Sequence, residues 1–86
     1  MNRDQEVRIL GVRITDRKKE AGDVQKVLTT YGCSIRTRLG LHEVSTEFCS
    51  SQGLLILELF GDKTEQDKLE AALTGVAGVQ VRKMVF

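Results

Sequence analysis

Two side chains with metal-binding and acid–base chemistry, His42 and Cys49, stand at the ends of a polar stretch that also carries Glu43 and Glu47. An imidazole, a thiolate and carboxylates suit a borderline transition metal, above all where a symmetric assembly brings two copies together. The spacing holds neither a close cysteine pair nor two histidines on one helical face, the usual arrangements for such an ion. A thiol–imidazole nucleophile is the other chemistry open to these residues. Nothing in the sequence orients the imidazole or builds an oxyanion hole, so no enzyme activity is expected. The bland alternative is a solvated turn with Cys49 buried beside Phe48. The second thiol, Cys33, falls in phase with apolar neighbours and is expected as a small core residue.

A different chemistry belongs to the arginines. Arg36, Arg38 and Arg82 are expected around one carboxylate, Glu58, and a guanidinium offers planar two-point recognition of carboxylate or phosphate. Glycine inside a strand marks a bulge or a close backbone approach, which applies to Gly11 and to Gly40. Arg36, Arg38, Gly40 and His42 form the expected ligand-binding set. Gly11 is expected to let two subunits' sheets touch.

These residues depend on a sheet for their positions. Gly53 to Gly61 is the most apolar run in the chain, and a glycine at each end limits it to strand length. Leu55, Leu57 and Leu59 point to one face, and Leu54, Ile56, Glu58 and Phe60 to the other. A chain of 86 residues can cover only one of these faces with its own helices.

Around this strand the spacing predicts a strand over Val7 to Thr15 and then a helix with Ala21, Val24, Val27, Leu28 and Tyr31 on its buried stripe, stopped at Gly32. A second strand is predicted over Cys33 to Leu41, with Cys33, Ile35, Thr37 and Leu39 on one side and Ser34, Arg36, Arg38 and Gly40 on the other. His42 to Gln52 is expected as a long irregular loop. After the central strand, Asp62 or Thr64 can cap a helix with Leu69, Ala72, Leu73 and Val76 buried, ended by Gly75 and Gly78. Val79 to Phe86 alternates as the last strand.

A weak internal repeat supports this order. At one common offset, Leu10, Val12 and Ile14 recur as Leu55, Leu57 and Leu59, and Val24, Val27, Leu28 and Tyr31 as Leu69, Ala72, Leu73 and Val76. Two β-α-β halves in matching phase predict an α+β, ferredoxin-like βαββαβ sandwich over residues 1–86: a four-stranded antiparallel sheet with two helices on one face. Leu55, Leu57, Leu59, Ile35, Val81 and Val12 are expected under the helices. Ile9, Arg13, Arg36, Arg38, Leu54, Ile56, Glu58, Phe60, Arg82, Met84 and Phe86 are expected on the bare face.

That face can be a partly solvated surface with weak cross-strand ion pairs. It can instead be a homo-oligomer interface built from Leu54, Ile56, Glu58, Phe60, Arg82, Met84 and Phe86, or the arginines can hold an anion trapped between subunits. Other partners have less support. With 13 Lys and Arg against 12 Asp and Glu, no strong field favours nucleic acid. No apolar signal core or membrane span is visible, so the expected location is the cytoplasm, without a membrane partner. Two cysteines are too few for a disulfide scaffold or a four-thiolate cluster, and no resident cofactor is expected.

Over residues 6 to 86 the chain resembles the iron-only hydrogenase system regulators, a family of small proteins with an ACT-like, ferredoxin-type fold. The resemblance is carried by Arg38-Leu39-Gly40-Leu41-His42-Glu43, by Cys49 before the Gly53 strand, by Gly61-Asp62 after it, and by the pairs Gly75-Val76 and Gly78-Val79. The family is similar in fold to ACT domains and to the metal-sensing domain of nickel-responsive repressors, which oligomerise and bind small effectors between subunits. The present chain has one histidine where the repressors have several, and it lacks a DNA-binding extension. The first loop carries Thr15, Asp16 and Arg17 where copper chaperones carry a Cys-x-x-Cys, which excludes that branch. The resemblance implies a regulatory dimer or tetramer that binds a small effector or a protein partner and acts on an iron-only hydrogenase system. The alternative is a metal-binding or thiol-dependent protein using His42 and Cys49.

Overall fold

The computed structural model describes residues 6–15, 17–44 and 49–86, with side chains for 6–15, 22–40 and 53–86. Its elements run β1 Arg8–Ile14, α1 Arg17–Thr30, a 3-10 turn Gly32–Ser34, β2 Ile35–Val44, β3 Cys49–Leu59, α2 Lys63–Thr74 and β4 Val79–Val85. The strands form one sheet in the order β2-β3-β1-β4, every pair antiparallel. This is the ferredoxin-like arrangement, with both helices packed on one side.

The core lies between the sheet and the helices. Leu10, Val12, Ile14, Leu57 and Leu59 from the central strands meet Val24 and Leu28 of α1 and Leu69 and Leu73 of α2. Each helical pair is four residues apart, so both side chains fall on one stripe of the helix. Removing such side chains from water is the main favourable term for a domain of this size. Val81 packs half-buried against this core from the edge strand.

The turns explain where α2 begins. Gly61 has φ 88°, a conformation open to glycine. Asp62 then caps the helix by accepting a 2.7 Å hydrogen bond from the Thr64 N–H, which settles the choice between Asp62 and Thr64. Buried Gln66 donates from Nε2 to the Gly61 carbonyl at 3.0 Å and ties the first turn of α2 back to the loop.

Three sequence expectations are corrected. The stretch from His42 to Gln52 is not an irregular loop: β2 continues to Val44 and β3 begins at Cys49, leaving 45–48 outside the described residues. Polar strands carry little hydrophobic alternation, so period-two reading misses them. Cys33 is exposed rather than in the core, because the 3-10 turn closed by the 2.9 Å bond from Ser34 N–H to Tyr31 O buries Ser34 in its place.

The third correction concerns faces. Ile35 pairs with Leu59 and Thr37 with Glu58, so Arg36 is the extra residue of a β-bulge. Beyond it, Arg38 pairs with buried Leu57 and Gly40 with Leu55, while Leu39 pairs with Ile56. One inserted residue reverses the phase of a strand. Arg38 and Gly40 therefore stand on the helix side, and Thr37 and Leu39 on the bare side, the opposite of the simple alternation.

Candidate functional site on the uncovered sheet face

The face away from the helices is built by the strand registers. One row across it runs Thr37, Glu58, Ile9, Met84; the next runs Leu39, Ile56, Gly11, Arg82; a third holds Leu54, Arg13 and Gln80. At one end Val7 and Phe86 exchange backbone hydrogen bonds of 3.1 and 2.9 Å, and Phe60 follows Leu59 where the chain leaves β3. Leu39, Leu54, Phe60, Met84 and Phe86 are all exposed, Met84 at 53% and Phe86 at 72%. Scattered apolar side chains need no explanation, but five on one face form a patch that marks an interaction surface.

Polar chemistry is concentrated around Glu58 and Arg82. Glu58 accepts a 2.9 Å hydrogen bond from the Thr37 hydroxyl and lies 4.0 Å from Arg36. The Arg36 guanidinium also sits 5.3 Å from the centre of the Phe60 ring, close enough for a cation–π contact. Bulge residue, carboxylate and aromatic ring thus hold one another. Arg82 donates from Nη1 to the neighbouring Val81 carbonyl at 3.0 Å, and among the described residues no carboxylate pairs with it.

The expected ligand-binding residues do not come together. Arg36 stands on the bare face, whereas Arg38 on the other side donates to Gln25 Oε1 of α1 at 2.9 Å. A Cβ built on Gly40 would touch Leu55 Cδ2 at 3.4 Å, which again places Gly40 on the helix side. His42 pairs through its backbone with Gly53, level with Ile14 at the end of β1, and Cys49 pairs with Val44 beyond that end. Their side chains lie outside the described residues, as do those of Glu43 and Glu47, and with them the proposed metal site. Among the described residues no group of three or more His, Cys, Asp or Glu could hold an ion.

One cluster escaped the sequence reading. Arg8, the first residue of β1, is 6% exposed on the helix side of the sheet. Its Nη1 donates to Asp67 Oδ1 at 2.7 Å and Glu70 Oε1 at 3.4 Å, and its Nη2 to Glu6 Oε1 at 3.2 Å. Hydrogen bonding to Asp67 raises the arginine pKa above its ordinary value despite burial. The Arg8 hydrogen bond in turn lowers that of Glu6. Beside this network a shallow cleft of about 430 Å3 lies between α2 and β4, lined by Asp67, Glu70, Ala71, Thr74, Gly75 and Lys83. Its carboxylates already serve Arg8 and Lys83, so the cluster reads as a structural clamp rather than a binding site. The only signal in the sequence was the period itself: Arg8 continues the Leu10, Val12, Ile14 phase.

Comparison with known proteins bears on the fold. Neither a family model nor a curated protein matches the chain. Among solved structures, an uncharacterised protein from Thermotoga maritima is similar at TM-score 0.78 and 24% identity, over 95% of this chain and 99% of that one. CPII from Thiomonas intermedia, a nitrogen regulatory PII-like protein bound to ADP, AMP and bicarbonate, is similar at TM-score 0.56 and 11% identity, over 95% and 93% of the two chains. A dimeric ferredoxin-like protein from an uncultured marine organism is similar at TM-score 0.50 and 7% identity, over 94% and 92%. At these identities the likeness concerns architecture.

Proposed function

We propose that the chain is a small regulatory domain of ACT-like architecture that self-associates through its uncovered sheet face and binds a small effector there, without catalysing a reaction. The observation that carries this reading is the run of exposed Leu39, Leu54, Phe60, Met84 and Phe86 on one side of the sheet. Fully burying side chains of this kind is worth about 1.5–3 kcal/mol each. A second copy laid on the same face would recover part of that. The marine ferredoxin-like protein is described as dimeric, and CPII as regulatory and nucleotide-bound, which is consistent with such a use of the architecture. The resemblance to iron-only hydrogenase system regulators adds a client: a cytoplasmic hydrogenase system, reached through a protein partner rather than through DNA.

Light scattering coupled to size exclusion tests the reading. The wild-type chain is expected as a dimer or tetramer at micromolar concentration, and Met84→Glu as a folded monomer. A wild-type monomer at every concentration would remove the proposal. The hydrogenase assignment is tested separately, by co-purification of tagged chain with hydrogenase maturation or structural proteins.

A further inference from the structure

The uncovered face contains a glycine that the single chain does not need. Gly11 lies mid-strand in β1, between Ile56 on β3 and Arg82 on β4. Its φ is not positive, since the positive-φ glycines are Gly61 and Gly78. A Cβ at Gly11 would meet nothing within 4 Å, so no close packing within the chain demands its absence. Glycine in a strand interior weakens the strand. The space it leaves is therefore open to something outside the chain.

Beside that space is Arg82, a cation with no carboxylate partner among the described residues. Arg36 already has Glu58 and Phe60 as neighbours. Stacked sheets lie about 10 Å apart, and closing two copies face to face takes the Arg82 of each into a partly desolvated interface. An unpaired charge desolvated there opposes association. A small oxyanion with two or more charges reverses the sign, because it accepts paired hydrogen bonds from the guanidinium and keeps charge for a second cation of the interface.

We propose that a small multivalent oxyanion, seated at Arg82 over the gap left by Gly11, completes the interface between two copies and so controls their assembly. The inference rests on the sheet-face association proposed above and specifies the chemistry of its effector. The charge excess at Arg82 and the vacancy at Gly11 are independent observations, and both lie in the same row of the sheet.

The test is sedimentation equilibrium of the full chain in chloride buffer, against pyrophosphate and against citrate, at matched ionic strength. At least one probe is expected to tighten association about tenfold or more, and which one acts distinguishes phosphate from carboxylate recognition. Arg82→Gln is expected to associate more tightly than wild type in chloride and to ignore both anions. Gly11→Val is expected to remain folded, with thermal stability at or above wild type, and to lose the anion response. An oligomer indifferent to both anions, or an Arg82→Gln variant that still responds, overturns the inference while leaving self-association intact. A monomer under every condition overturns both.

Discussion

Arg8 and Asp67, 59 residues apart in the chain, meet at 2.7 Å where the start of β1 passes under α2. The arginine side chain is 7% exposed and the aspartate 68%, so a nearly buried cation is neutralised from the solvent edge. Glu6 and Glu70 complete the ring, and Arg8 Nε is the one buried side-chain polar atom without a partner among the described residues. The network fastens the first strand to the second helix and thereby holds the sheet against its helical layer.

Arg8→Ala is expected to lower the unfolding free energy by about 1–3 kcal/mol, mainly from lost packing, since Asp67 is largely exposed and Glu6 and Glu70 keep Lys63 and Lys83. Arg8→Met keeps most of the volume and is expected to cost less than about 1 kcal/mol, since the carboxylates it leaves reach solvent or keep Lys63 and Lys83. Urea denaturation of both variants checks this; equal losses would show that the charge rather than the packing dominates.

The same cluster sets an acid dependence. Arg8 bonding, aided by Lys63, holds the Glu6 carboxyl below the usual glutamate value, against the opposing effect of desolvation. A carboxyl depressed in the folded state adds stability above its unfolded pKa and loses that contribution as pH falls through the folded one. Stability measured down the acid range is expected to decline there, and Glu6→Gln to flatten the decline. Arg8 works in the opposite sense: raised by Asp67, its contribution is present below the unfolded value and lost only as pH climbs through the raised one. No loss from Arg8 is therefore expected near neutrality. An acid limb identical in wild type and Glu6→Gln would refute the assignment.

Gly61 is expected to resist substitution. At φ 88° an alanine carries the left-handed penalty, and with nothing within 4 Å of the added Cβ the cost is conformational alone. Gly61→Ala should lose about 1–2 kcal/mol in denaturant titration.

Face assignment after the bulge is checked by paired substitutions. Leu39→Glu on the exposed side should keep the native circular dichroism spectrum while lowering the mass seen by light scattering. Leu57→Glu, which forces a charge into the core, should not fold. A Leu39→Glu chain that fails to fold, as Leu57→Glu does, would mean that the bulge is absent.

Cys33, exposed in its 3-10 turn, is expected to react with a thiol reagent in the native state of a Cys49→Ser variant, at a rate that does not follow global unfolding. Protection until the protein unfolds would restore it to the core.

Alternation and repetition along the chain were enough to define four strands, two helices, their order and the greasy side of β3, because period-two and period-3.6 patterns reflect burial directly. The Asp62 cap was likewise within reach, since its partner is two residues away. Which residues share the bare face with Ile56 was settled only in three dimensions. A single inserted residue at Arg36 reverses the phase of everything after it, and no local pattern marks a bulge whose cause is pairing with another strand. Arg8 belongs to the same class: its burial depends on Asp67 and Glu70 arriving from a distant helix, and a charge in a strand reads as surface until its partners are in place.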